Sequence, residues 1–498
     1  MKHITILIIM FCLLSCGDDF LDKTDPSTLV ASSFYETEVQ VRQAVNGVYG
    51  QLQGIISAQW AYNEFVSDNT TLHFNVGNRG QGPSLEAIEF WQMNSGTGNI
   101  NNLYSSIYLT MVNINTTLSK LSGAKLDDAL KNQYEGELKF MRGYYYFLLA
   151  QYFGDVIIIT EPLQLASQAY AFERQPVDNV YELIDSDLNF AITALPASYN
   201  SANVGRVTKG AALTLLGKVQ LTRKEYSNAV ATLNQVLPLG YSLLPNYADI
   251  FDPLKKNHAE SIFEVQFQGD NTAGEGSNFI YTFAPLFSSG AVINFPGQDG
   301  GGWNIPSRDM IAAYETGDLR KDVSLKEGYT NKSNVWIPVP FINKYNHPHT
   351  ILGITNDNWP MLRYADVLLM LAEAINEQSN PTAEAYGYLN AVRSRAGLAE
   401  LSGLDQASFR DAVLKERRVE LAFENHRWFD LKRTKTPAEL ATFLNAYAAI
   451  EKSNPTTDRG GIPFSAGDYQ FADYEALFPI PANEIRINPK LTQNPGYN

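Results

Sequence analysis

From Thr208 to Val236 the chain reads TKGAALTLLGKVQLTRKEYSNAVATLNQV. Apolar residues recur at three and four residue steps on either side of Lys224-Glu225, which predicts two short helices broken there. Gly217 stands in the first, Ala229 twelve positions later in the second, and the bulky Leu233 four beyond that. Small residues at such places let two antiparallel helices approach closely.

This is the spacing of the tetratricopeptide repeat, without its signature Trp and closing Pro, and it suits a generic helical hairpin equally well. A second predicted pair, 362–376 and 382–396, carries Ala372, Ala385 and Leu389 at nearly the same spacing. Working outward, residues 34–240 are mostly helical in pattern. Leu138, Met141, Tyr145, Leu148 and Tyr152 form one stripe and Phe140, Tyr144 and Phe147 another, so this helix is apolar on two faces and packed between neighbours. The stretch from Val180 to Leu195 repeats the pattern and stops at Pro196. Residues 241–360 change character: Gly and Pro punctuate them, and Ile262 to Phe267 alternates like a strand. The pattern predicts a mainly α fold, a helical frame over 34–240 and 361–498 with a loop-rich insertion of short strands at 241–360.

Lys2 precedes an apolar run from Ile4 to Leu14, too short to span a bilayer and suited to the core of a signal peptide. The run ends in Leu13-Leu14-Ser15-Cys16, which resembles a bacterial lipobox. Residues 1–15 are then the signal peptide, Cys16 the lipidated first residue of the mature chain, and 16–33 the anchor and a polar tether. Asp18-Asp19 just after the cysteine resembles the surface-export signal of Bacteroidota lipoproteins. Cys12 leaves with the signal peptide, so no disulfide scaffold or cysteine metal cluster can form. With 53 acidic against 38 basic residues and a formal charge of −15, a nucleic-acid partner is not expected.

Four linked signatures occupy the C-terminal third: Leu362-Arg363-Tyr364-Ala365-Asp366 running to Ala374, Leu389-Asn390-Ala391-Val392-Arg393 running to Leu398, Glu416-Arg417-Arg418 through His426-Arg427-Trp428-Phe429-Asp430-Leu431, and Phe478-Pro479-Ile480-Pro481 through Asn494-Pro495-Gly496-Tyr497. In this order they resemble the RagB/SusD family of outer-membrane lipoproteins. The resemblance extends upstream through Phe140-Met141-Arg142, Phe153-Gly154-Asp155 and Gly205-Arg206-Val207-Thr208. It implies the tetratricopeptide-like frame and also a role. The protein would sit on the outer membrane through its lipid anchor, facing the exterior, and capture a nutrient, most often a glycan and in some members a peptide. It would deliver that nutrient to a SusC-like TonB-dependent transporter.

The chemistry agrees with binding rather than turnover. Glu416, Glu420 and Glu424 share one helical face, but Arg417, Arg418 and Arg427 lie among them, and arginine forks neutralise carboxylates pairwise. An ion-pair network joined by Arg363, Asp366 and Glu373 is expected. His347-Pro348-His349 near Asp357 lacks a third metal ligand at motif spacing. No serine lies in a G-x-S-x-G elbow. No catalytic residue, metal or cofactor is therefore expected, although two glycosidase carboxylates could hide among 53 acidic residues. A surface glycan hydrolase and a helical-repeat scaffold that binds only proteins remain the competing readings.

Sugars offer C–H faces to exposed aromatic rings and hydroxyls to polar side chains. Two segments have that composition. The first supplies Asp68, Asn69, Phe74, Asn78, Arg79 and Trp91; the second supplies Tyr281, Trp303 and Asn304 after three glycines. The family resemblance assigns the ligand site to these two regions and gives Trp303 the place of a platform tryptophan. Trp428, inside a family motif, reads as core.

Overall fold

The computed structural model describes residues 34–74, 77, 82–163, 165–269 and 274–497. The signal peptide, Cys16 and the tether lie outside them, as do Asn78 and Arg79. Helix α1, Glu38–Asn63, begins at a reciprocal capping box in which the Thr37 hydroxyl accepts from the Gln40 amide and the Gln40 side chain accepts from the Thr37 N–H. It packs on α2 (Gly98–Leu121), α2 on α3 (Asp128–Phe153), α3 on α4 (Val177–Ala194), α4 on α5 (Lys209–Thr222) and α5 on α6 (Tyr226–Leu233). After α6 the chain leaves this stack and passes through short helices that include α7 (Phe279–Phe283) and α8 (Arg308–Ala313). It returns at α9 (Tyr364–Gln378), which packs against α6 and against α10 (Ala383–Arg395) and α11 (Gln406–Glu420). Helices α12 (Arg427–Thr434) and α13 (Pro437–Ser453) follow.

The two-faced pattern of α3 is realised: from Gly136 to Phe153 only Lys139 is not buried. Close approach of neighbouring helices falls where small residues permit it. A Cβ added at Gly136 would come 3.1 Å from Ala194 Cβ, and one at Gly143 would come 3.2 Å from Leu188 Cδ2. At Gly217 it would overlap the Leu233 side chain. Ala229 and Leu233 are fully buried, and Ala372, Ala385 and Leu389 share one apolar cluster. Both hairpins thus use the small-residue positions that their sequence spacing marks. The break between α5 and α6 falls at Lys224, whose φ is +62°.

The strands are short antiparallel pairs: β1 (Thr70–Thr71) with β3 (Ile305–Pro306), β2 (Ser261–Val265) with β8 (Trp359–Arg363), β4 (Leu325–Lys326) with β7 (Phe341–Ile342), and β5 (Tyr329–Thr330) with β6 (Trp336–Ile337). The helix expected to start at Leu362 starts at Tyr364 instead. Pro360 lacks an amide hydrogen and favours an extended residue before it, so Trp359 to Arg363 forms β8 opposite β2. Arg363, extended at φ −124° and ψ 155°, occupies the N-cap position of α9.

A buried ion-pair network joins the insertion to the helical frame. Arg363 donates to Glu424 and Glu260 at 2.7 Å and to Glu420 at 2.9 Å. Arg320 reaches Glu416 at 2.6 Å and Glu420 at 3.0 Å, and Arg395 reaches Glu420 at 2.6 Å. Arg417 holds Asp366 and Asp430 at 2.7 and 3.0 Å, while Arg433 holds Glu373. Burial alone would raise the Glu420 carboxyl, but the guanidinium groups of Arg395, Arg363 and Arg320 outweigh it and hold the group well below the carboxylate range. The expected carboxylates are all present. Arg320, Arg395 and Glu260 join them from elements that sequence spacing did not connect.

Candidate ligand-binding surface

The two segments singled out by composition meet along the β1–β3 ribbon. Thr70 pairs with Pro306 and Thr71 with Ile305, and the pairing continues as His73 N–H donates to Gly302 O at 2.7 Å. Residues 300–303 in turn lie against 281–285: Gly301 N–H donates to Tyr281 O at 2.7 Å, Gly302 N–H to Ala284 O at 2.9 Å, and Trp303 N–H to Thr282 O at 3.1 Å. Backbone touches backbone here, so the glycines are required. A Cβ at Gly300 would overlap the Ala284 carbonyl, and Gly302 adopts φ +67°.

This arrangement places Tyr281 and Trp303 on adjacent chain segments, both half-buried. Trp303 meets the buried Phe65 edge to face, with centroids 6.3 Å apart and planes at 87°. The Tyr281 hydroxyl bonds His349 Nε2 at 2.8 Å, and His349 also faces the Phe295 ring at 4.9 Å. His347 reaches Asp357 at 2.5 Å. Phe287, exposed and held at φ +61°, stands edge-on to His73. Phe287, Phe295 and His349 widen the aromatic surface and were not among the expected residues. Their surrounding loop has no periodicity from which a facing direction could be read.

The remaining expected residues lie beneath. Asp68 is fully buried, with both carboxylate oxygens 2.8 Å from Arg427 and Oδ2 3.0 Å from Arg418. Burial would raise its pKa, yet the two guanidinium groups prevail and hold it at about 2. Asn69 donates to Glu64 at 2.8 Å and accepts from Arg418 at 2.9 Å. Burial lifts the Glu64 carboxyl to about 7. Phe74 lies buried under the Arg459 guanidinium, 4.0 Å away. Trp91 is buried with its indole N–H donated to Val66 O at 2.9 Å. Asn304 is fully buried at φ +57°, and its side-chain amide has no hydrogen-bond partner among the described residues. Below β1, both Thr71 Oγ1 and the Tyr469 hydroxyl donate to Glu89 Oε1, and burial pushes that carboxyl up to about 8. Trp428 is fully buried. Tyr281 and Trp303 are therefore the expected residues that keep exposed surface among those described, and the buried ones support them.

A model of the SusD family matches residues 318–497, and one described as starch-binding, associating with the outer membrane, matches residues 19–221. The chain belongs to the SusD/RagB family. Its curated relatives include SusD-like proteins P25 and P2 of Formosa agariphila. The first is 27% identical, covering 100% of this chain and 99% of the relative; the second is 26% identical, covering 99% of each. A SusD-like protein of Bacteroides ovatus is 26% identical over 84% of this chain and 79% of its own length. Among solved structures, a laminarin-binding SusD-like protein is 25% identical with a TM-score of 0.76, covering 93% of this chain and 100% of its own. A SusD homologue from Bacteroides thetaiotaomicron, 24% identical with a TM-score of 0.78, covers 95% of this chain and 100% of its own and speaks to the fold. The SusD/RagB motifs at 416–431 thus supply Arg418 and Arg427, the two groups that lock Asp68 under the ribbon.

Proposed function

We propose that this protein is a non-catalytic, outer-membrane lipoprotein that binds a glycan at the cell exterior and passes it to a SusC-like TonB-dependent transporter. The observation that carries this reading is the convergence of two distant loop segments on one ribbon, with the half-buried Tyr281 and Trp303 on hydrogen-bonded neighbouring segments over an ion-paired base. Half-exposed aromatic rings on a rigid support suit the C–H faces of sugars. The carboxylates of the 416–424 motif are occupied by arginines, which leaves none of them free for acid–base work. Cys16 at the lipobox supplies the anchor. The laminarin-binding relative makes β-glucan oligosaccharides the first ligands to try.

The test is to purify the full chain from detergent-solubilised outer membranes and titrate it with neutral glycans, laminarihexaose first, while assaying for reducing ends. Saturable binding without new reducing ends, and co-purification of a large β-barrel, are the expected results. Release of reducing ends would replace this reading with a hydrolase. Absence of any glycan binding, with a protein partner retained, would replace it with a protein-binding scaffold.

A further inference from the structure

A second surface is lined by a different set of residues from the Tyr281–Trp303 platform. An open cleft of about 1370 Å³ runs between α8, the β5–β6 hairpin and residues 455–466 after α13, and none of its lining residues comes from 278–304. Trp336 lies at its rim with 57% of its surface exposed. Its indole rests on Gly328, where an added Cβ would come within 2.6 Å of Cζ2 and 3.0 Å of Cε2. A glycine under the ring lets it lie against the backbone and leaves its other face to solvent.

The cleft is also basic, in a chain whose formal charge is −15. Arg308, Lys452 and Arg459 line it, and none of them has a carboxylate within 4.0 Å among the described residues. Arg459 is sandwiched between Phe74 and Phe464, 4.0 and 3.8 Å from the ring centroids, so its guanidinium is held in place. Of the two acidic residues in the lining, Glu327 is taken by Lys321 at 2.6 Å, which leaves Asp458. Arg308 Nε donates to Pro455 O at 3.1 Å and Arg459 Nε to Ile462 O at 3.2 Å, contacts that fix both guanidinium groups without neutralising them, so the lining carries a local positive potential. The acidity of the whole chain repels a densely charged polyanion, so the complementary ligand carries sparse negative charge on an otherwise neutral, flat-faced backbone.

We propose that this cleft is a second glycan site, selective for saccharides bearing carboxylate or sulfate groups, with Trp336 as the stacking platform and Arg308 and Lys452 as the charge contacts. It stands independently of whether the Trp303 platform binds a neutral glycan. The full chain in detergent micelles would be titrated calorimetrically with an aldotetraouronic acid, which carries one carboxylate on a xylotriose, with a κ-carrageenan tetrasaccharide, which carries sulfate on alternate sugars and no carboxylate, and with laminarihexaose. Trp336→Ala is expected to weaken an acidic probe roughly tenfold and leave laminarihexaose unchanged, and Trp336→Phe to restore most of the loss. The double variant Arg308→Gln, Lys452→Gln is expected to weaken the acidic probe and flatten its salt dependence. Whichever acidic probe binds identifies the group, carboxylate or sulfate. Failure of both acidic probes to bind the wild-type chain, or binding that is lost in Trp303→Ala and untouched in Trp336→Ala, would overturn the proposal. Loss of laminarihexaose binding alone would bear on the platform and not on this cleft.

Discussion

Arg427 donates from Nε and Nη2 to the two carboxylate oxygens of Asp68, each at 2.8 Å, joining residues 359 positions apart in the chain. Arg418 adds a third contact to the same carboxylate at 3.0 Å. The C-terminal motif therefore clamps the turn between α1 and β1, and through β1 the ribbon that carries Trp303.

Asp68→Asn would leave two arginines facing a neutral amide in a buried site. Removing one partner of a buried pair costs about 3–5 kcal/mol, so denaturant unfolding at neutral pH is expected to show a loss near the lower end of that range. The Asp68 carboxyl is held at about 2, below its ordinary 3.8. Its stabilising contribution is therefore present above pH 3.8 and lost as pH falls through about 2. The gap between wild type and variant should close over that interval. A gap independent of pH would mean that the pair is not ionised.

Glu89 makes the opposite case. Its carboxyl is raised from 4.5 to about 8 by burial, with the Thr71 and Tyr469 hydroxyls bonded to it opposing the shift. The folded chain thus holds a proton that the unfolded chain releases, and this contribution to stability declines as pH rises from about 4.5 to about 8. Glu89→Gln keeps an acceptor for both hydroxyls and removes the titration. At pH 8.5 the variant is expected to melt at or above the wild-type temperature, and its stability to vary less between pH 5 and 8.5.

Much of the frame is visible in the amino-acid order because it is periodic. Gly217, Ala229 and Leu233 mark a hairpin that exists, and the two stripes of α3 mark a helix buried on both sides. The facing of loop residues is not visible in the same way. Asp68, Asn69 and Trp91 have the composition of a sugar site, yet their partners lie far along the chain, at Arg427, Arg418 and Phe471. Only tertiary pairing tells a polar side chain aimed at solvent from one bonded beneath the surface. Trp336 shows the converse: nothing in its local sequence distinguishes it from Trp91, but one is exposed and the other buried.

Contact between Gly217 and Leu233 gives a test of the helical stack. A methyl group at 217 would overlap the leucine side chain, and overpacking of this kind costs about 1–3 kcal/mol. Leu233→Ala alone leaves a cavity at a fully buried position, at a cost of about 2–5 kcal/mol. Because each change relieves the other, the double variant Gly217→Ala, Leu233→Ala is expected to be more stable than the sum of the single effects predicts. Additive losses in thermal or urea unfolding would show that the two residues are not coupled.

The geometry of the Trp303 platform, and not only its presence, should control binding. A Cβ at Gly301 would lie 2.6 Å from Trp303 Cδ1, so Gly301→Ala must tilt the indole while leaving it in the protein. If sugars stack on that face, Gly301→Ala and Trp303→Ala should both weaken laminarihexaose, the latter by about 0.5–1.5 kcal/mol, the range for a stacked aromatic pair. Tyr281→Phe keeps the ring and removes only the 2.8 Å bond to His349, so it is expected to cost less than Tyr281→Ala. Calorimetric titration of the four variants checks the order. Should Gly301→Ala bind as tightly as wild type while Trp303→Ala does not, the indole would be acting through its N–H or its bulk, and stacking would be the wrong account of the site.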